Sequence, residues 1–415
     1  GIGIAIRELS DGRILINYLL EDGPAAEAGI ELRAEILEMN GQPIDEYISS
    51  TISYFGPYST PHNLRLDQLL FATRFPVGTE VDVTYQNPGG SPETVTLTAS
   101  GEVDSFNFWL EDETRDGFEL PLEYEYLEDE GVGYVEIFSF LDNDLLTIQL
   151  WERMIQDMNE NDVPAIIIDM RKNGGGRGFL ADQMAAYFFD EALVTGNTAF
   201  YEDERGEFYM NPDYEDTFFL PSEEFRYDGD IVVLVGPDCA SACEFFSYDM
   251  TLQDRATIVG MYPTAGLGGS VDDVAMPADE TFRFTQGRAV DAEGNIHIEG
   301  IGVVPDIVVP VTEETLFSAG DPVLAAALAY LNGESSATVT DGGEMVLGDS
   351  VTAVLTPGER TRYTVTLLSG EVVGLLLESS DNQPFILRVY DEDGELLAET
   401  EPDTITGYEG VDFGE

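Results

Sequence analysis

Apolar and polar positions along the chain form two distinct textures. Over the first hundred residues, short apolar runs at 2–6, 14–20, 80–85 and 94–97 alternate with Gly- and Pro-containing turns. This pattern predicts a small, mostly β domain. Within it, "GPAAEAGIELRAEILEMNGQPI" (23–44) joins a short helix to a strand and an Asn-Gly turn. From about residue 118 the pattern changes. "GYVEIFSF" (133–140), "AIIIDM" (165–170) and "IVVLV" (231–235) are continuous apolar runs, separated by helix-like segments near 143–159 and over 179–192. Strands apolar on both faces, set between amphipathic helices, indicate α/β layers around a largely buried sheet. "DPVLAAALAYL" (321–331) reads as a closing helix, and beyond the polar "NGESSATVTDGG" the strand texture returns. The expected organisation is a mostly β domain over 1–100, an α/β core over 101–333, a linker over 334–344 and a partial β-sandwich over 345–415.

Charge narrows the functional classes. Against 81 Asp and Glu stand 18 Lys and Arg, a formal net charge of −63, and Lys172 is the only lysine. Nucleic acid and anionic membrane surfaces would repel such a chain. The acids are scattered and not gathered in a tail, which suits a solvated surface in a saline or extracellular setting. No run of 18 apolar residues is present, so no segment is expected to span a membrane. The chain opens on "GIGIAIRELSDG" with no initiator Met or signal peptide and closes on "EGVDFGE", so both ends read as cut. Cys239 and Cys243 are too few for a disulfide framework. Within one helix their spacing would put the Cα atoms about 6 Å apart, in range for a bridge that helix geometry would strain. Their oxidation state is left open.

Three segments carry candidate chemistry. In "VGPDCASACEFF" (235–246) an apolar strand and a turn deliver Ser241 to the start of a helix, where unpaired N–H groups and the helix dipole favour an oxyanion. Serine is also a favoured helix N-cap, so the segment alone does not decide. "IIIDMRKNGGGRG" (166–178) is a buried strand ending in Gly174, Gly175 and Gly176, where backbone can approach a ligand with no side chain in the way. A flexible turn is the plainer alternative. "RAVDAEGNIHIEGIGVVPDIVVPV" (288–311) reads as a hairpin-like strand segment holding Glu299 among apolar neighbours, and a buried acid there needs a partner.

Taken in order, "DMRKNGGG", "CASACE" and "IEGIGVVPDIVV" resemble the tail-specific, or C-terminal-processing, serine peptidase family, whose members include the tricorn core. The segment 23–44 resembles a PDZ domain of the bacterial protease type. The resemblance implies an α/β peptidase core with ClpP/crotonase-like layers, an N-terminal mostly β PDZ-like domain and a C-terminal partial β-sandwich. It implies Ser241 as nucleophile, the N–H groups of Gly176 and Ala242 as oxyanion hole, and Gly174 and Gly175 beside the substrate. The opening Gly1, Ile2, Gly3 and Ile4 would capture a peptide's C-terminal carboxylate and pair with its backbone. A longer stretch, "YFGPYSTPHNLRLDQLLFATRF" (54–75), departs from the PDZ pattern and blurs the outline of that groove.

The general base departs from the best-known branch. Leu267 stands where a Ser-Lys dyad would place its lysine. The tricorn-like branch uses a histidine contributed from before the PDZ domain, with a glutamate whose position Glu299 matches, and that histidine is expected upstream of Gly1. His297, His62 and Lys172 are weaker alternatives within the chain. The resulting expectation is a secreted, cell-surface or periplasmic bacterial serine endopeptidase that acts on polypeptides and needs no metal or organic cofactor. Its rival is a catalytically dead, peptide-binding scaffold.

Overall fold

The computed structural model describes residues 1–110, 120–141 and 143–333, together with strands at 339–345, 360–365, 374–378, 388–390, 396–399 and 408–412. Two compact units divide near residue 337.

The first unit opens with an antiparallel sheet of β1 (Ile4–Glu8), β2 (Ile14–Leu19), β3 (Glu35–Met39), β4 (Gln42–Pro43), β5 (Glu80–Gln86) and β6 (Glu93–Thr98), ordered β1-β2-β3-β5-β6 with β4 on β3. Two-residue alternation sets its core. Val81, Val83 and Tyr85 of β5 turn inward, onto Ile4, Ile6, Ile14, Ile16 and Ile36. Asn40 and Gly41 both adopt positive φ, 53° and 75°, as the tight β3–β4 turn requires. Helices α1 (Pro24–Glu27), α2 (Ile44–Ser50) and α3 (Pro61–Ala72) accompany the sheet. The unusual 54–75 stretch is thus largely a helix, with Pro61 in its first turn. Its Leu69 and Ala72 enter the same core. Helix α4 (Asp104–Leu110) follows the last strand, where Phe108 stacks on Tyr18.

The core sheet holds β7 (Leu122–Leu127), β8 (Val132–Ile137), β9 (Ala165–Asp169), β13 (Asp230–Val235), β14 (Thr257–Gly260) and β17 (Ile307–Val308), in the order β17-β14-β13-β9-β8-β7. Strands β8, β9, β13, β14 and β17 run parallel, with β7 antiparallel at one edge. Alternate residues of the buried strands serve opposite faces. Ile166, Ile168, Ile231, Val233 and Val235 join Trp151 of α5 (Asp144–Glu160), Leu180 of α6 (Gly178–Ala185) and Phe246 of α7 (Ala242–Asp249). Ile167, Val232 and Leu234 meet Val323 and Ala327 of the closing helix α9 (Pro322–Leu331), which the short α8 (Glu313–Leu316) precedes. Between these elements a further antiparallel sheet forms from β10 (Val194–Glu202), β11 (Glu207–Tyr209), β12 (Glu215–Thr217), β15 (Gly269–Ala275) and β16 (Thr281–Val290).

Two expected elements differ. The helix-like run 179–192 ends at Ala185 and continues only as one 3₁₀ turn, 186–188. Its apolar continuity reflects burial of Leu180 and of Met184 through Phe189, and not helical length. The segment 288–311 is not a hairpin. After Val290 the Asp291 carboxylate accepts the N–H groups of Glu293 and Asn295 and ends the strand, and Glu299 lies in a turn. In the second unit 339–345 pairs parallel with 360–365, 374–378 antiparallel with 408–412, and 388–390 antiparallel with 396–399. The rest of the expected sandwich lies outside the described residues.

Candidate active site

Two loops leave the carboxyl ends of adjacent parallel strands, and strand register brings them together. Asp169 of β9 pairs with Leu234 of β13. Gly176 and Ser241 each lie seven residues beyond that pair (176 − 169 and 241 − 234). Asn173 fastens the loops to each other and to the sheet. Its backbone carbonyl accepts the Ala240 N–H at 3.2 Å, its side-chain amide donates to the Ile137 carbonyl at 3.0 Å, and its side-chain oxygen accepts the Gly175 N–H at 2.8 Å.

Ser241 stands immediately before α7 with φ 56° and ψ −119°, a left-handed conformation that a non-glycine residue holds only when its surroundings demand it. The glycine loop presses against it. A Cβ on Gly175 would lie 2.3 Å from the Ala240 carbonyl oxygen and 2.8 Å from the Ser241 Cβ. Gly176 forms a parallel bridge with Phe140, whose N–H donates to the Gly175 carbonyl at 3.0 Å and whose carbonyl accepts from Arg177 at 3.1 Å. That pattern turns the N–H of Gly176 itself away from Phe140. Among the described residues, neither the Gly176 N–H nor the Ala242 N–H at the helix start has an acceptor.

Cys239 and Cys243 are joined by a disulfide, with Cα atoms 5.4 Å apart. The expected helix strain does not arise, because Cys239 lies ahead of the helix and the left-handed Ser241 separates the two.

The sequence reading missed Glu244. Fully buried, its carboxylate accepts four donors: the Thr264 hydroxyl at 2.6 Å and the N–H groups of Gly266 at 2.6 Å, Leu267 at 2.8 Å and Ser241 at 2.9 Å. Burial raises its pKa above the ordinary carboxylate range, and these donors work the other way. The Thr264 hydroxyl also accepts the Val303 N–H at 2.6 Å, which leaves its single proton for Glu244. Glu244 therefore binds the start of α7 to the 264–267 turn, the turn in which a lysine was sought. The signal was in the sequence, since Ser241-x-x-Glu244 is the spacing of a capping box.

The remaining candidates scatter around this centre. Glu299, its side chain 42% exposed, pairs with Arg288 at 2.6 Å. Its neighbour Ile298 is buried against Gly268 and Gly300 donates to Ser59 at 2.8 Å, so the Glu299 turn is held by the 264–268 segment and by the loop before α3. His297 is half-buried against Tyr248 with its Nδ1 enclosed and unpartnered, and desolvation pushes its pKa down to about 4. His62 lies 2.9 Å through Nε2 from the Thr264 carbonyl, and burial lowers its pKa. Lys172 sits in the loop after β9. The Gly1–Ile4 segment meets acceptors and donors from its own chain. The Gly3 N–H donates to Glu102 at 3.2 Å, the Ile4 carbonyl accepts from Arg74 at 3.2 Å, and the side chains of Ile2 and Ile4 are buried.

The fold has a counterpart among solved structures. Mature CPAF superimposes with a TM-score of 0.54 at 18% identity, over 80% of this chain and 83% of that one. Residues 131–309 match the model of peptidase family S41. Among curated proteins, the carboxy-terminal processing protease CtpA of Bacillus subtilis is 22% identical over 72% of this chain and 54% of its own length. A probable CtpA-like serine protease of Staphylococcus haemolyticus is 24% identical over 74% of this chain and 52% of its own. The chain spans about half the length of the curated relatives it matches.

Proposed function

We propose that the protein is a serine endopeptidase of the C-terminal-processing type, cleaving unfolded or tail-exposed polypeptides by acyl transfer. The observation that carries the reading is the pair of unaccepted N–H groups, Gly176 and Ala242, beside a serine held in a strained turn at a helix start. Ser241 attacks the scissile carbonyl, and the two N–H groups take the developing oxyanion. Glu299 orients or polarises the base, in the tricorn-like manner, and Leu267 excludes a lysine at the dyad position. The N-terminal sheet, with β1 at its edge, serves as a PDZ-like module that presents peptide to the core. A bridged cysteine pair suits an exported protein. Among the described residues no helix is long and apolar enough to cross a membrane.

Turnover of an unstructured peptide by the full-length protein tests this reading. Ser241→Ala should abolish it, and Glu299→Gln should lower it tens-fold while the fold is kept. Activity that survives Ser241→Ala would remove the assignment.

A further inference from the structure

We propose that the Cys239–Cys243 disulfide is a positioning clamp for Ser241, so that turnover depends on the oxidised bridge. The proposal rests on the assignment of Ser241 as nucleophile.

Its first support is placement. The bridge closes residues 239–243 into a ring with Ser241 at the centre and the proposed oxyanion donor Ala242 inside it. Its second is the backbone the ring encloses. Ser241 is the strained point of the turn, and a positive φ in a non-glycine residue persists only where the surroundings over-determine it. A competing state is close at hand. Asp238 is a good N-cap, and the helix could extend backward from Ala242 to it, which would draw Ser241 into right-handed conformation and turn its hydroxyl away. Within that extended helix the Cβ atoms of residues 239 and 243 would both point toward the helix N-terminus and not at each other, so the bond opposes the change.

The third support is what the two arms of the ring hold. The Cys239 carbonyl accepts the Ala265 N–H at 2.9 Å, and Glu244, next to Cys243, accepts from Thr264, Gly266 and Leu267. Both arms therefore grip the 264–267 turn, and the disulfide fixes the distance between the grips. Both cysteines are fully buried, so the bond is part of the site's frame and not a surface staple.

A dithiol opens the bridge by giving it two electrons and two protons. Cys239 and Cys243 become thiols, and the reductant becomes a cyclic disulfide. The test compares the full-length protein oxidised, reduced with dithiothreitol, reoxidised, and as the Cys239→Ala/Cys243→Ala variant. Three readouts are taken: kcat and KM on an unstructured peptide, labelling by a fluorophosphonate, and amide hydrogen exchange over 240–245.

Reduction and the double variant should each lower kcat about ten- to a hundredfold with KM within about twofold, and slow labelling by a similar factor. Exchange at 240–245 should rise at least tenfold while β9 and β13 stay protected. Reoxidation should restore the wild type and leave the double variant unchanged. Full kcat and labelling in the double variant would overturn the proposal. So would a loss matched by faster exchange throughout the core, since the bridge would then be a general staple. If oxidised Ser241→Ala keeps wild-type turnover, the nucleophile assignment has failed, and local exchange alone then decides for or against the clamp.

Discussion

The Gly1–Gly3 loop at the edge of the N-terminal sheet and the Gly174–Gly176 loop after β9 both set backbone N–H groups beside a strand. At the first, the chain supplies its own anion. Glu102, its side chain only 5% exposed, accepts from the Gly3 N–H, from Arg74 at 3.1 Å and from the Ser105 hydroxyl at 2.8 Å. At the second, the neighbouring carboxylate, Glu244, is spent on the 264–267 turn and on the Ser241 N–H, and the N–H groups of Gly176 and Ala242 are left over. Glycine and nearby acid occur in both. Only the destination of the carboxylate separates a loop whose N–H is accepted from one whose N–H groups are left over.

Glycine substitutions should break this comparison most sharply. Gly175→Ala would set a Cβ 2.3 Å from the Ala240 carbonyl oxygen at a residue with φ 93°. It should lower kcat by about a hundredfold or more through displaced oxyanion donors. Gly3→Ala, at φ 79° with the nearest atom 3.2 Å away, should cost about 1–2 kcal/mol of stability and leave kcat unchanged. Peptide turnover and thermal melts on both variants check the contrast. Equal losses of kcat would show that the loops do not differ in role.

Exchanging the two glutamates is the next largest perturbation. Glu244→Gln puts an amide among four donors and leaves at least one N–H or hydroxyl without an acceptor. It should lower kcat about tens-fold and stability by about 1–3 kcal/mol. Glu102→Gln loses an ionic partner of Arg74 and should move only the melting temperature.

The smallest effects concern pH, where the two regions should respond with opposite signs. Burial pushes up the Glu102 pKa, but the hydrogen bonds from Ser105 and the charge of Arg74 outweigh it, and its folded pKa lies below the ordinary value. Its contribution is therefore present above the unfolded pKa and lost as pH falls through the folded one. Behind the site, burial and the charge of Asp216 push Asp182 of α6 up to about 7, and burial with the charge of Asp182 raises Asp249 at the end of α7. The folded state there holds its proton more tightly than the unfolded chain does. That stabilisation is complete below the ordinary carboxylate range and declines as pH rises toward about 7. Melting temperatures from acid to neutral pH should fall at both ends. Asp249→Asn should flatten the neutral side and Glu102→Gln the acid side, and a neutral side unchanged by Asp249→Asn would remove the carboxyl pair as its cause.

Much of this was legible residue by residue. The alternation of 80–85 and the unbroken apolar runs 165–169 and 231–235 identify their strands within windows of a few residues, because a side chain's direction depends on local backbone geometry. The three glycines are legible for the same reason, since their backbone freedom is local, whereas the positive φ of Ser241 is imposed by its surroundings. The 179–192 run misled because continuous burial and a long helix give the same apolar string. Tertiary structure alone decided that β9 and β13 are neighbours in a register that sets Gly175 against Ser241, that Glu102 accepts from the first glycine loop, and that Glu244 reaches the 264–267 turn. A carboxylate's partners are donors whose approach is fixed by strand order and loop closure, and Thr264, Gly266 and Leu267 come within reach of Glu244 only once β14 has docked beside β13.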